Sequence, residues 1–166
     1  MESSQYTRAA NLGGRVRDSF GNGTNLTMTG HSLGGGLAAT AAVATDSRAV
    51  TLNAAGVHAN TLLRASGIEP PTSMGQTSLG MRLAESAIEG AYRERFAGQI
   101  TNYSTRGEPL TIGQTLVPFA PVAQGRQVGL PAVSQRINPF AWHKADPSLW
   151  NMRAEIKRLQ ALAASQ

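Results

Sequence analysis

The segment Gly30-His31-Ser32-Leu33-Gly34 sets a serine between two glycines in the order G-x-S-x-G. It follows the short run Leu26-Thr27-Met28-Thr29, which predicts a strand over 26–29, and leads into an alanine-rich stretch that predicts a helix over about 35–45. A serine at a sharp strand-to-helix turn stands in a strained backbone conformation with its hydroxyl lifted over the strand ends, a nucleophile elbow. Gly30 and Gly34 are expected where a Cβ would collide with the neighbouring strand or helix. The N–H of Leu33, at the positive end of the helix, is aimed at any negative charge forming beside the Ser32 hydroxyl, which makes it an oxyanion-hole donor. Other glycine-loop chemistries do not fit. A phosphate-cradling loop ends in Gly-Lys-Ser/Thr and no lysine lies near; a dinucleotide fingerprint needs G-x-G-x-x-G, which residues 30–36 do not supply.

Around these residues the chain resembles a known family. Thr29-Gly30-His31-Ser32-Leu33-Gly34-Gly35-Gly36-Leu37-Ala38 is similar to the elbow of the class 3 lipases and their bacterial phospholipase-like relatives, all α/β-hydrolases. Thr51-Leu52-Asn53-Ala54-Ala55-Gly56 resembles the strand and glycine turn that follow the elbow helix there, and Ile100 to Leu110 resembles the strand and turn that carry the acid. The resemblance runs from about residue 6 to 160 and is nearest in kind to secreted lipase-like effector domains of bacteria. It implies a partial α/β-hydrolase fold, a mostly parallel sheet with helices on both faces. It also implies a substrate class, carboxylic esters of lipids or phospholipids, and no cofactor.

A serine hydroxyl needs a base within hydrogen-bond reach, itself oriented by a carboxylate. The chain has three histidines. His31 is part of the elbow, with its side chain expected to point away from Ser32. His58 stands at a strand end but would precede any carboxylate able to hold it. His143 lies between the last strand-like segment and the C-terminal helix, where the resemblance places the base, giving the order Ser, acid, His. For the acid, Glu108 follows the strand 100–105 in a Gly-Glu-Pro turn that would lift its carboxylate above the sheet edge. The resembling family more often has Asp there. Asp146 reads as a helix N-cap and Asp46 as the end of the elbow helix. The expected triad is Ser32, His143 and Glu108.

The second oxyanion donor of such enzymes comes from a loop after an earlier strand, and only a helix-like stretch precedes residue 26. The resemblance therefore implies a single lipase-like domain over 1–166 that forms the C-terminal part of a longer one, with Asn53 or a partner completing the hole. Two other readings stay open here: an incomplete, non-catalytic remnant that binds a partner, and a soluble-ester hydrolase or thioesterase.

A chain of 166 residues is long enough to bury one core. Its net charge of +5 comes from scattered, mostly arginine residues. No basic run with interleaved aromatics marks a nucleic-acid groove, whereas contact with an anionic membrane surface would suit a phospholipid substrate. There is no cysteine and no metal-ligand spacing. Neither a signal peptide nor an apolar run long enough for a membrane span is visible, so the expectation is cytoplasmic, or export by a signal-peptide-independent system.

The supporting elements read as follows. Leu12, Val16 and Phe20 predict the apolar face of a helix over 6–20, and Ala49-Val50-Thr51-Leu52 a short buried strand. Gly67 to Gly80 reads as a loop. Leu83, Ala87, Ile88, Tyr92 and Phe96 predict one face of a helix over 81–97. Thr111–Leu116 reads as a single helical turn and Gln127–Leu130 as a strand. Asp146-Pro147 opens a last helix with Leu149, Met152, Ile156, Leu159 and Leu162 in one stripe.

Overall fold

The computed structural model describes residues 4–20, 25–69, 80, 83, 87, 91, 94–117, 120–131 and 145–164. The elements are α1 (Ser4–Phe20), β1 (Thr27–His31), α2 (Leu33–Thr45), β2 (Arg48–Leu52), α3 (Ala59–Ala65), β3 (Ile100–Thr105), α4 (Pro109–Leu116), β4 (Arg126–Leu130) and α5 (Ala145–Ala164). The strands form one sheet in the order β1-β2-β3-β4, with every pairing parallel. Parallel neighbours need crossover connections, and α2 and α4 lie in two of them. This is the expected α/β class. All four C-terminal strand ends consequently lie on one edge, and that edge carries the chemistry discussed below.

Alanine content explains why α2 sits at the centre. Residues 33–45 are apolar around most of the helix, and Ala38, Ala39, Ala41, Ala42 and Val43 are all buried. The helix packs on β1 and β2, with α1 and α3 against it, while α5 lies against β3 and β4. Ala39, Ala42 and Val43 join Ala49, Val57, Leu62, Phe96 and Ile100 in the core. Polar residues inside the sheet are paired across it. Thr51, Asn102 and Gln127 share one register row. The Thr51 hydroxyl donates to Asn102 Oδ1 at 2.9 Å and Asn102 Nδ2 donates to Gln127 Oε1 at 2.8 Å.

Several elements depart from the sequence reading. The row Leu12, Val16, Phe20 is not the packed face of α1, since Leu12 and Phe20 are exposed. Close approach to an alanine-rich partner needs small residues, and Gly13 supplies it: a Cβ there would lie 3.0 Å from the Ala41 Cβ. In β2, Ala49, Thr51 and Leu52 are buried but Val50 is exposed. Residues 59–65, not read as an element, form α3. The expected single turn at 111–116 is the eight-residue α4. Positions 83, 87, 91, 94 and 95 are helical within the predicted 81–97, as is position 80 just before it. Yet Leu83 is exposed and it is Phe96, past the helical positions, that enters the core. Helix α5 starts at Ala145, one residue before the expected cap Asp146, and Leu149, Ile156, Leu159 and Leu162 of its stripe are exposed.

Candidate active site

Ser32 joins β1 directly to α2 with φ 55 and ψ −126. A positive φ is uncommon for a residue with a side chain and costs on the order of 1–3 kcal/mol. Backbone hydrogen bonds on both sides hold it there. The Ser32 N–H donates to the Leu52 carbonyl (3.1 Å), and the Ser32 carbonyl accepts from Gly35 (2.9 Å), Gly36 (3.3 Å) and Ala55 (2.9 Å). The turn after β2 therefore clamps the turn after β1. A backbone donor such as the Ala55 N–H leaves no signature in residue type.

The glycines divide differently from the expectation. At Gly30 a Cβ would run into the carbonyl of Gly34, so only glycine fits. At Gly34 itself nothing beyond its own helix lies within 4 Å, which corrects the expectation of a collision there. Its carbonyl is the crowded group, not its Cα. The tight approach to the neighbouring turn belongs to Gly35, where a Cβ would sit 2.7 Å from that of Ala54. Leu33 opens α2 and is exposed. Its N–H donates to no group among the described residues, as for the first N–H groups of any helix. An apolar groove of about 500 Å³ runs from Gly34 between α1, β1 and α2, with Leu12, Val16, Met28, Leu37 and Ala41 along it.

Glu108 lies beyond the end of β3, on the same sheet edge as Ser32 with β2 between them. Strands two apart are separated by roughly 10 Å. Thr105 and Glu108 close a turn in which the Glu108 N–H donates to the Thr105 carbonyl (3.2 Å) and Gly107 takes φ 84. Glu108 then caps α4, with Pro109 following it. Its Oε1 accepts from Leu110 N at 2.7 Å and its Oε2 from Thr111 N at 2.8 Å. The residue is fully buried rather than a solvated turn carboxylate. Each carboxylate oxygen has a second lone pair, so capping does not exhaust its acceptor capacity.

Asn53, at the end of β2 with φ 45, is also fully buried. Its Oδ1 accepts from Thr105 N at 2.9 Å, so the side chain braces the end of β3. His31 ends β1 in register with Leu52. His58 is exposed and caps α3, its Nδ1 accepting from Asn60 N at 3.3 Å. His143 lies outside the described residues. The structure thus brings Ser32, Leu33, Asn53 and Glu108 to one edge and gives His58 a local structural task. Among the described residues no helix is long and apolar enough to cross a membrane.

A family model for Tle-like phospholipase domains matches residues 1–143. The chain is also similar to the extracellular phospholipase A1 of Serratia liquefaciens, at 38% identity over 126 residues. That match takes in 76% of this chain but spans only 33% of the relative's length.

Proposed function

This chain belongs to the Tle-like phospholipase family, and from that premise we propose that it cleaves a carboxylic ester of a phospholipid with Ser32 as nucleophile, His143 as base and Glu108 as acid. The observation that carries the reading is the strained Ser32 turn, with a Leu33 N–H beside it that donates to no group among the described residues. Strain persists where the surroundings over-determine it, and here four backbone partners hold a serine in a conformation that glycine would take freely.

In this reading Ser32 Oγ attacks the ester carbonyl carbon while its proton passes to His143. The oxyanion that forms accepts from the Leu33 N–H. Collapse of the tetrahedral intermediate expels the alcohol, which takes the proton back, and water then releases the fatty acid by the same route. Glu108 holds the imidazole and stabilises its positive charge. The groove beside Gly34 offers apolar surface to a lipid substrate. The extracellular name of the relative favours export over action in the cytoplasm, and the net charge of +5 favours contact with an anionic membrane.

The test is covalent labelling by a fluorophosphonate, which reports an activated serine. The parent chain should label at one site, and Ser32→Ala should abolish labelling without loss of folding. Labelling that survives Ser32→Ala would remove Ser32 from the mechanism.

A further inference from the structure

Thr105, the fully buried last residue of β3, collects hydrogen bonds from separate parts of the chain. Its N–H donates to Asn53 Oδ1 at 2.9 Å, from the end of β2. Its Oγ1 accepts from Asn151 Nδ2 at 3.3 Å, from α5. Its carbonyl accepts from the Glu108 N–H at 3.2 Å. The first two bonds fix the strand end, and the third suspends the Glu108 turn from it. Because both Glu108 oxygens are already tied to the first turn of α4, the carboxylate cannot be re-aimed by a rotamer change alone. Where it points follows from where Thr105 is held.

Asn151 is the telling member. It is 3% exposed, whereas its neighbours Leu149 and Trp150 are 43% and 70% exposed. Apolar burial would turn a leucine or a tryptophan inward at such a position. An inward amide costs free energy unless it is hydrogen-bonded, so a packing role alone does not account for it. Asn53 repeats the pattern, a fully buried amide in a left-handed conformation at the neighbouring strand end. In sequence, α5 is also the helix that follows His143, so the Asn151–Thr105 bond ties that helix to the strand leading to Glu108.

We infer that Asn151 and Asn53 are positioning residues, which hold Thr105 so that the turn suspended from it presents the Glu108 carboxylate in the geometry catalysis needs. The inference rests on Glu108 being the acid, and its test separates the two claims. Hydrolysis of a short-chain p-nitrophenyl ester and the melting temperature are measured for Asn151→Leu, Thr105→Val, the double variant, Asn53→Gly and Glu108→Gln. Each of Asn151→Leu and Thr105→Val removes one side of this buried hydrogen bond and should lower both readouts. The double variant replaces a hydrogen-bonded pair by an apolar contact and should melt above either single variant. Its kcat should nevertheless stay about 10- to 100-fold down at unchanged KM, because an apolar contact lacks the direction that fixes the turn. Asn53→Gly, which keeps the left-handed backbone accessible, should lower kcat in the same way. Recovery of kcat together with melting temperature in the double variant would overturn the positioning role. Parental kcat in Glu108→Gln would instead overturn the assignment of the acid.

Discussion

The Cα of Gly30 faces the backbone carbonyl of Gly34 so closely that a Cβ at Gly30 would overlap it. The contact is one-sided, since Gly34 has open space where its own side chain would be. Gly30→Ala should therefore destabilise the fold by about 1–3 kcal/mol through overpacking against rigid backbone. Gly34→Ala, inside α2, should be neutral or stabilising by about 0.5–1 kcal/mol. Denaturant unfolding of both variants checks this, and equal costs would mean that the elbow does not pack as described.

Ser32 invites the opposite substitution. A serine held at φ 55 stores strain that glycine would not. Ser32→Gly should raise unfolding stability by on the order of 1 kcal/mol, after allowance for the freer unfolded chain, while abolishing fluorophosphonate labelling. A destabilised Ser32→Gly would show that the serine side chain contributes more to the fold than its backbone conformation costs.

The elbow was legible because its chemistry is written in residue types. A serine between glycines, after a strand and before an alanine-rich helix, has few other uses, and Ser32 stands at φ 55 at that junction. The strand over 100–105 and the Glu108 turn were legible for a similar reason, since Gly107 and Pro109 flank the residue with conformational constraints. Orientation was less legible. Leu12 and Phe20 have helical spacing, yet the packed side of α1 is marked by Gly13, because the partner helix is alanine-rich and close approach outweighs apolar area. The stripe of α5 misled in the same manner: periodicity located the helix, but Asn151 is the residue that faces inward. Sequence spacing could not reveal Thr105 as a junction either, because its partners Asn53 and Asn151 are 52 and 46 residues away.

Tyr6 links α1 to the elbow region, its hydroxyl donating to the Gly56 carbonyl over a long 3.4 Å. Burial pushes the Tyr6 hydroxyl above the ordinary tyrosine range. The folded state thus keeps this proton to higher pH than the unfolded chain. Its contribution is fully present below the unfolded value of about 10 and is lost as pH rises through the folded value. Tyr6→Phe should differ from the parent by under about 1 kcal/mol near neutral pH, given so long a hydrogen bond. Above about pH 10 the parent should lose stability more steeply than the variant. Urea unfolding of the pair on both sides of that pH measures the difference, and parallel pH curves would contradict the burial of this hydroxyl.

The histidines separate by the roles assigned to them. His58 is exposed and caps α3 through a 3.3 Å bond to Asn60 N. Its removal should cost under about 1 kcal/mol of stability, the scale of a modest cap, and leave ester turnover nearly intact. His143 follows Ser32 and Glu108 in the chain. As base it would both activate the serine and protonate the leaving alcohol, so His143→Ala should lower kcat by about 10³-fold or more with little change in melting temperature. The two variants are compared on the same short-chain ester and by thermal unfolding. A catalytic loss in His58→Ala with a silent His143→Ala would reverse the order of base and acid along the chain, and with it the role given to Glu108.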